Sequence, residues 1–120
     1  MKTLSVRNPY AALIVAGIKT IENRSWSTRY RGPLLIHAGV TPHLDSIDEV
    51  ERRFNVCVDK ASLRFGGIIG SAVLIDVVTK SSSPWFVGPF GFVLSEARPL
   101  EFLALRGRQR FFDAQLAELS

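Results

Sequence analysis

The sequence predicts an α+β fold or a small mixed β-barrel, with about five or six strands flanked by two or three helices. Three observations carry this. Short β-rich segments are spread along the chain, and the helical patterns among them do not recur as regular β–α–β units, which argues against a doubly wound sheet. One of them, residues 66–79, is the best candidate for the longest strand. The 120 residues are 47% hydrophobic, enough for one packed core, and nothing divides them, so a single domain over 1–120 is expected.

Residues 2–6 alternate apolar and polar and read as a first strand. Asn8-Pro9 marks a helix start, because Asn8 can accept from the orphan N–H groups and Pro9 suits the first helical position. Residues 10–16 are almost wholly apolar, so this short helix is expected to be buried, with Gly17 as its stop. Residues 20–26 read as a second strand with Glu22, Arg24 and Trp26 on one face and Ile21, Asn23 and Ser25 on the other. Lys19 is expected at the strand's entrance, beside the helix end. Residues 28–33 form a basic loop ending in a Gly-Pro turn signal, and 34–38 a third strand apolar enough to be central.

Thr41-Pro42 repeats the cap-and-proline signal. Leu44, Ile47 and Phe54 follow at helical spacing, with charged residues around them, as in an amphipathic helix. Residues 55–65 are ambiguous. Within 66–79, Gly70 marks a bend or bulge. Residues 81–84 read as a loop and 90–94 as a strand that Arg98-Pro99 ends. Residues 100–105 are a short final strand or a turn, and 108–119 a helix with Phe112, Leu116 and Leu119 on one face.

The net charge is +4, with a pI near 9.7, and arginine supplies most of the positive charge. Arginine pairs bidentately with phosphate and stacks on bases, so the balance permits an anionic partner. Cys57 is the only cysteine, which excludes an internal disulfide and makes a reducing cytoplasm the simple expectation. Cys57 itself reads as a small hydrophobe rather than a nucleophile. No apolar run is long enough to span a membrane, and residues 1–6 lack the long apolar stretch and cleavage site of a signal peptide.

Most signatures of chemistry are absent. Gly66-Gly67-Ile68-Ile69-Gly70 precedes a strand rather than a helix, so no helix N-terminus stands ready for phosphate. There is no Walker motif and no nucleophile elbow. His37, His43 and Cys57 lack zinc spacing, so no metal and no cofactor are expected. His37, in an apolar strand, reads as a satisfied core histidine.

Polar chemistry concentrates instead in residues 17–26, where Lys19, Glu22 and Arg24 stand among Ile18, Ile21 and Trp26. The plainer reading is an ion pair of Glu22 with Arg24, with Lys19 capping the first helix's dipole. The functional reading is the floor of a polar cleft, where Lys19 and Arg24 receive a phosphate or base edge and Glu22 fixes them. Cost favours the second, since charges among apolar side chains must partly desolvate and a buried ion pair often gains nothing over apolar packing. Arg29, Tyr30 and Arg31 follow Trp26. Cations interleaved with aromatics suit single-stranded nucleic acid, although a solvated loop with one pinned aromatic fits nearly as well. Trp85 and Phe86 form a second aromatic group that would either stack a base or cover a barrel end, while Phe90 and Phe92 share a strand face toward the core.

Taken together these residues resemble the ASCH domain, whose hallmark Gly-x-Lys-x-x-Glu-x-Arg is present as Gly17, Lys19, Glu22 and Arg24. The flanks are similar too: residues 5–11 upstream, 26–32 and 34–38 downstream, and 88–94 later in the chain. The resemblance implies a PUA-like barrel and a cleft that binds RNA, often at a modified base, with Lys19, Glu22 and Arg24 as cleft residues. One group resembling this fold removes acetyl from N4-acetylcytidine through a Lys-x-x-Thr arrangement and a distant Glu. This chain has Glu22 at the threonine's place, which counts against that chemistry.

Three functions are weighed. The first is binding of RNA, single-stranded nucleic acid or a modified nucleoside. Lys19, Glu22, Arg24, Arg29, Arg31 and Tyr30 would make polar contacts there, and Trp26 or Trp85 would stack. The second is an RNA-directed hydrolase, a ribonuclease or amidohydrolase, with Lys19 and Glu22 as the catalytic pair; Glu22 is then the better general base. A neutral, reactive lysine needs a pKa near neutrality, which burial and Arg24 favour and Glu22 opposes. The third is a protein-interaction module that docks through the charged helix at 45–53.

Overall fold

The computed structural model describes residues 1–108 and 110–113. Six strands and two α-helices follow one another as β1 (Lys2–Val6), α1 (Tyr10–Val15), β2 (Ile21–Arg24), β3 (Gly32–Ala38), α2 (Ile47–Phe54), β4 (Gly67–Val78), β5 (Phe90–Ala104) and β6 (Phe111–Asp113). A single 3-10 turn, Lys60–Ser62, precedes β4. The strands make one sheet in the order β2-β5-β4-β3-β1-β6. Among the described residues only β1 and β3 pair in parallel, because the connection that separates them includes α1; every other pair described is antiparallel.

The sheet curls into a half-barrel. Register shifts interrupt the β4–β5 ladder at Ile68/Gly70, Ser71/Val73 and Leu74/Asp76, and each such irregularity adds twist. The curl brings the two edges together. Trp26, just beyond β2, lies edge-on to Phe111 of β6 with ring centroids 5.1 Å apart, and both rings meet Phe92. Phe92 is fully buried with Leu4, Ile14, Leu34, Ile36 and Leu74 in the main core. Truncating it to Ala would cost about 3–5 kcal/mol. Helix α1 packs on β4 at Gly70, where a Cβ would lie 2.4 Å from Val15. A second cluster, Leu13, Ile21, Val50 and Trp85, seats α2 beside α1.

The structure matches the fold expected, and it corrects several element boundaries. Helix α2 starts at Ser46, not at Thr41-Pro42. The Ser46 hydroxyl accepts from the Glu49 N–H, and Asp48 and Glu49 favour the first turn electrostatically. Leu44 is therefore 92% exposed rather than part of an apolar stripe. Strand β5 runs through Arg98-Pro99 to Ala104, absorbing the expected final strand. Proline is tolerated there because β2 pairs only with Phe90–Val93, and Pro99 lies opposite Gly70 at a register shift. Phe111–Asp113 is a strand paired with β1 rather than the start of a helix, its aromatics closing the half-barrel. The remainder of the expected 108–119 helix falls outside the described residues, apart from 108 and 110, which are not helical. Cys57 is free and exposed.

Candidate functional site

The turn after α1 decides where Lys19 goes. Gly17 adopts φ +77°, and the N–H groups of Ile18 and Lys19 both donate to the Leu13 carbonyl at 3.0 Å. This C-terminal wrap, open to glycine at no steric cost, turns the chain inward. Lys19 is consequently only 3% exposed. Its ammonium does not cap α1. It donates to the Ile21 carbonyl, lies 3.3 Å from Glu22 Oε1, and sits over the rings of Tyr10 and Trp85 at 5.3 and 5.6 Å. Burial pushes its pKa below the ordinary lysine value, with Arg24 adding to the fall and Glu22 opposing it.

Glu22 and Arg24 share a face of β2, as period two requires. Arg24 Nη2 approaches Glu22 Oε2 at 3.1 Å and donates to the Ser5 carbonyl at 2.6 Å. The ion pair expected from the sequence is thus real. Arg24 Nε is buried with no hydrogen-bond partner among the described residues. Asn23 does a different job. Its side chain donates to the Trp85 carbonyl and accepts from the N–H groups of Val87 and Gly88, fastening the 85–88 loop to β2.

These residues line an open cleft of about 1280 Å³. Its Lys19 end is aromatic. Trp85 stacks on Phe54 with centroids 4.1 Å apart, and Tyr10 donates to Asp45 Oδ2 at 2.8 Å while meeting His43 edge-on. Burial first, then Asp45, holds the Tyr10 phenol above its ordinary pKa. From the Arg24 end a chain of contacts leads through Ser5 to His37, whose Nδ1 lies 2.9 Å from Ser5 Oγ and whose Nε2 meets the Leu105 carbonyl. His37 is buried and satisfied, as expected, but it also lines the cleft.

A family description of the ASCH domain matches residues 4–86. The chain belongs to the ASCH family. Activating signal cointegrator 1 of Mus musculus and of Homo sapiens are each 34% identical to it over 84 residues, 64% of this chain and 14% of theirs. The chain therefore spans about one seventh of the length of those relatives. The crystal structure of ASCH from Zymomonas mobilis superposes with a TM-score of 0.63 at 15% identity, covering 98% of this chain and 89% of that one. A mutant form of that protein gives 0.55 at 16% identity, covering 87% and 75%. At such identities the likeness concerns the fold.

Within this ASCH domain, four of the residues singled out from sequence divide cleanly from the other four. Lys19, Glu22, Arg24 and Trp85 line the cleft; Trp26, Arg29, Tyr30 and Arg31 do not. Trp85 is almost fully buried against Phe54, so it walls the Lys19 pocket. Trp26 and Tyr30 pack on Phe111 in the closure of the half-barrel, and Tyr30 donates to the Pro33 carbonyl. Arg31 donates to the carbonyls of Thr28 and Tyr30. Sequence reasoning missed Arg7, Tyr10, Arg53, Arg106 and Arg108, all of which line the cleft. Only the alternation Arg106-Gly107-Arg108 near the end carried a visible signal. Among the described residues no helix is long and apolar enough to cross a membrane, and no three His, Cys, Asp or Glu side chains gather as a metal site.

Proposed function

We propose that this ASCH domain binds RNA, or a modified nucleotide within it, in the cleft floored by Lys19, Glu22 and Arg24. One observation carries the reading. Six basic residues line the cleft, Arg7, Lys19, Arg24, Arg53, Arg106 and Arg108, against two acidic ones, Glu22 and Asp45. Among the described residues, the lining therefore carries a formal excess of four positive charges. A concave surface that focuses positive potential and has an aromatic end offers a polyanion phosphate contacts and an apolar seat for a base. Lys19 and Arg24 hold a phosphate or base edge there, and Glu22 keeps both in place.

Fluorescence anisotropy with a labelled single-stranded RNA of mixed sequence tests this. Affinity is expected to fall steeply with added salt. Arg24→Ala should weaken binding about tenfold, which is about 1.4 kcal/mol, with an unchanged circular dichroism spectrum. Binding that ignores salt, or no binding at all, refutes the reading.

Hydrolysis is the second reading, and the burial of Lys19 favours it. A lysine whose pKa is driven down despite an adjacent carboxylate is closer to exchanging its proton with a substrate. Mass spectrometry of an RNA mixture, part of it carrying N4-acetylcytidine, decides between the two. Mass loss or fragments with the wild type but not with Lys19→Ala would make the domain an enzyme; unchanged masses leave a binding module.

A further inference from the structure

We propose that residues 105–108 form a second anion subsite of the cleft, a clamp in which Arg106 and Arg108 take a phosphate of the bound strand and His37 is the positioning residue. The inference rests on the RNA reading above and goes beyond its floor. Arg106 and Arg108 line the cleft, both are exposed, and neither makes a hydrogen bond or ion pair among the described residues. That sets them apart from Lys19 and Arg24, whose charges are already engaged by Glu22.

The side chains are free, but the backbone beneath them is held. The Leu105 N–H donates to the Gly66 carbonyl at 3.1 Å, and the Leu105 carbonyl meets His37 Nε2. Gly107 lies directly on the imidazole. A Cβ there would come within 2.5 Å of His37 Cε1 and 3.0 Å of Ser5 Oγ, so no larger residue fits without displacing the segment. His37 is anchored in turn by Ser5 Oγ at 2.9 Å, from its register partner across the β1–β3 pair, and the Ser5 carbonyl accepts from Arg24. The ring thus bridges the two segments, with Nε2–H donating to the Leu105 carbonyl and Nδ1 bonded to the Ser5 hydroxyl. The floor and the clamp are thus connected by one chain of contacts, Arg24 to Ser5 to His37 to Leu105. Two exposed cations on a fixed backbone suit phosphate, because less ordering remains to be done on binding.

The test is the salt dependence of binding to an eight-nucleotide single-stranded RNA, read as the slope of log Kd against log salt. Each phosphate neutralised on a single strand contributes about 0.7 to that slope. Arg106→Ala with Arg108→Ala is expected to lower it by about 0.7, for the one phosphate the clamp holds. Gly107→Ala keeps every charge and His37 itself, and is expected to lower the slope similarly by lifting the segment. Gly107→Ala added to the double arginine variant should then change nothing further. His37→Leu should behave like Gly107→Ala, and His37→Gln, which restores a donor toward Leu105, should recover part of the slope. Should His37→Leu fail to fold, Gly107→Ala alone decides. A wild-type slope in the double arginine variant, or in Gly107→Ala, overturns the clamp while Arg24→Ala still reports on the floor. Absence of salt-dependent binding in the wild type overturns the RNA reading, and the clamp with it.

Discussion

The Lys19–Glu22–Arg24 triad and the Arg29–Tyr30–Arg31 loop are close in sequence and carry two cations each, yet the fold treats them oppositely. The triad is drawn inward by the Gly17 turn and by the pairing of β2 with β5, and it ends under the cleft. The loop stays outside. Arg31 caps its own loop carbonyls and lies 3.8 Å from Asp76, while Tyr30 turns its ring to Phe111. The difference teaches that composition nominates a binding surface and topology selects it. The fold confines Arg24, whose Nε is buried with no hydrogen-bond partner, and leaves Arg31 at the surface.

The largest way to break this contrast is to remove the shared anion. Glu22→Leu leaves Lys19 almost fully buried and facing Arg24 without a counter-charge, and should cost about 3 kcal/mol or more in urea melts. Arg31→Ala, in contrast, should move stability by less than about 0.5 kcal/mol, since its partner Asp76 is solvent-exposed and the pair is long. Equal losses in the two variants would mean that the triad is no more buried in solution than the loop.

Binding sharpens the same contrast with smaller effects. Arg24→Ala should raise the Kd for single-stranded RNA about tenfold. Arg29→Ala and Arg31→Ala should each change it by less than about twofold, as charges that act only through a screened long-range field. A reversal, with the loop variants losing more, would move the interface from the cleft to the outer loop.

Much of this was legible in the sequence, for physical reasons. Residues 2–6, 34–38 and 66–79 announced themselves as strands through alternation or β-branched runs, and Gly17 and Asn8-Pro9 bracketed α1. The triad stood out because three charges among isoleucines have to be paid for somewhere. What stayed hidden depended on distant partners. Pro99 ends a strand by local rules, but opposite Gly70, at a register shift, it is absorbed. Phe111 and Phe112 fit a helical face as well as a strand until β1 supplies a ladder. The arginines at 7, 53, 106 and 108 come from three different parts of the chain, and only the curl of the sheet gathers them.

The smallest expected effect is also the most specific to the buried lysine. Burial lowers the Lys19 pKa in the folded protein below its unfolded value of 10.5. Between the two values the unfolded chain binds the proton more tightly, so stability should rise with pH through that window and be lost as pH falls through the folded pKa. Tyr10 works the other way. Its folded pKa is raised, so its contribution is full below its ordinary value of 10.0 and declines above it. Urea melts of the wild type and Lys19→Met from about pH 7 to pH 9.5 stay below the Tyr10 region. The wild type should gain stability relative to Lys19→Met as pH rises toward the upper end of that range, whereas Arg31→Ala should track the wild type at every pH, because an arginine remains charged throughout. A difference between wild type and Lys19→Met that is flat with pH would place the ammonium in water, and the contrast between a confined triad and a solvated loop would fail at its central residue.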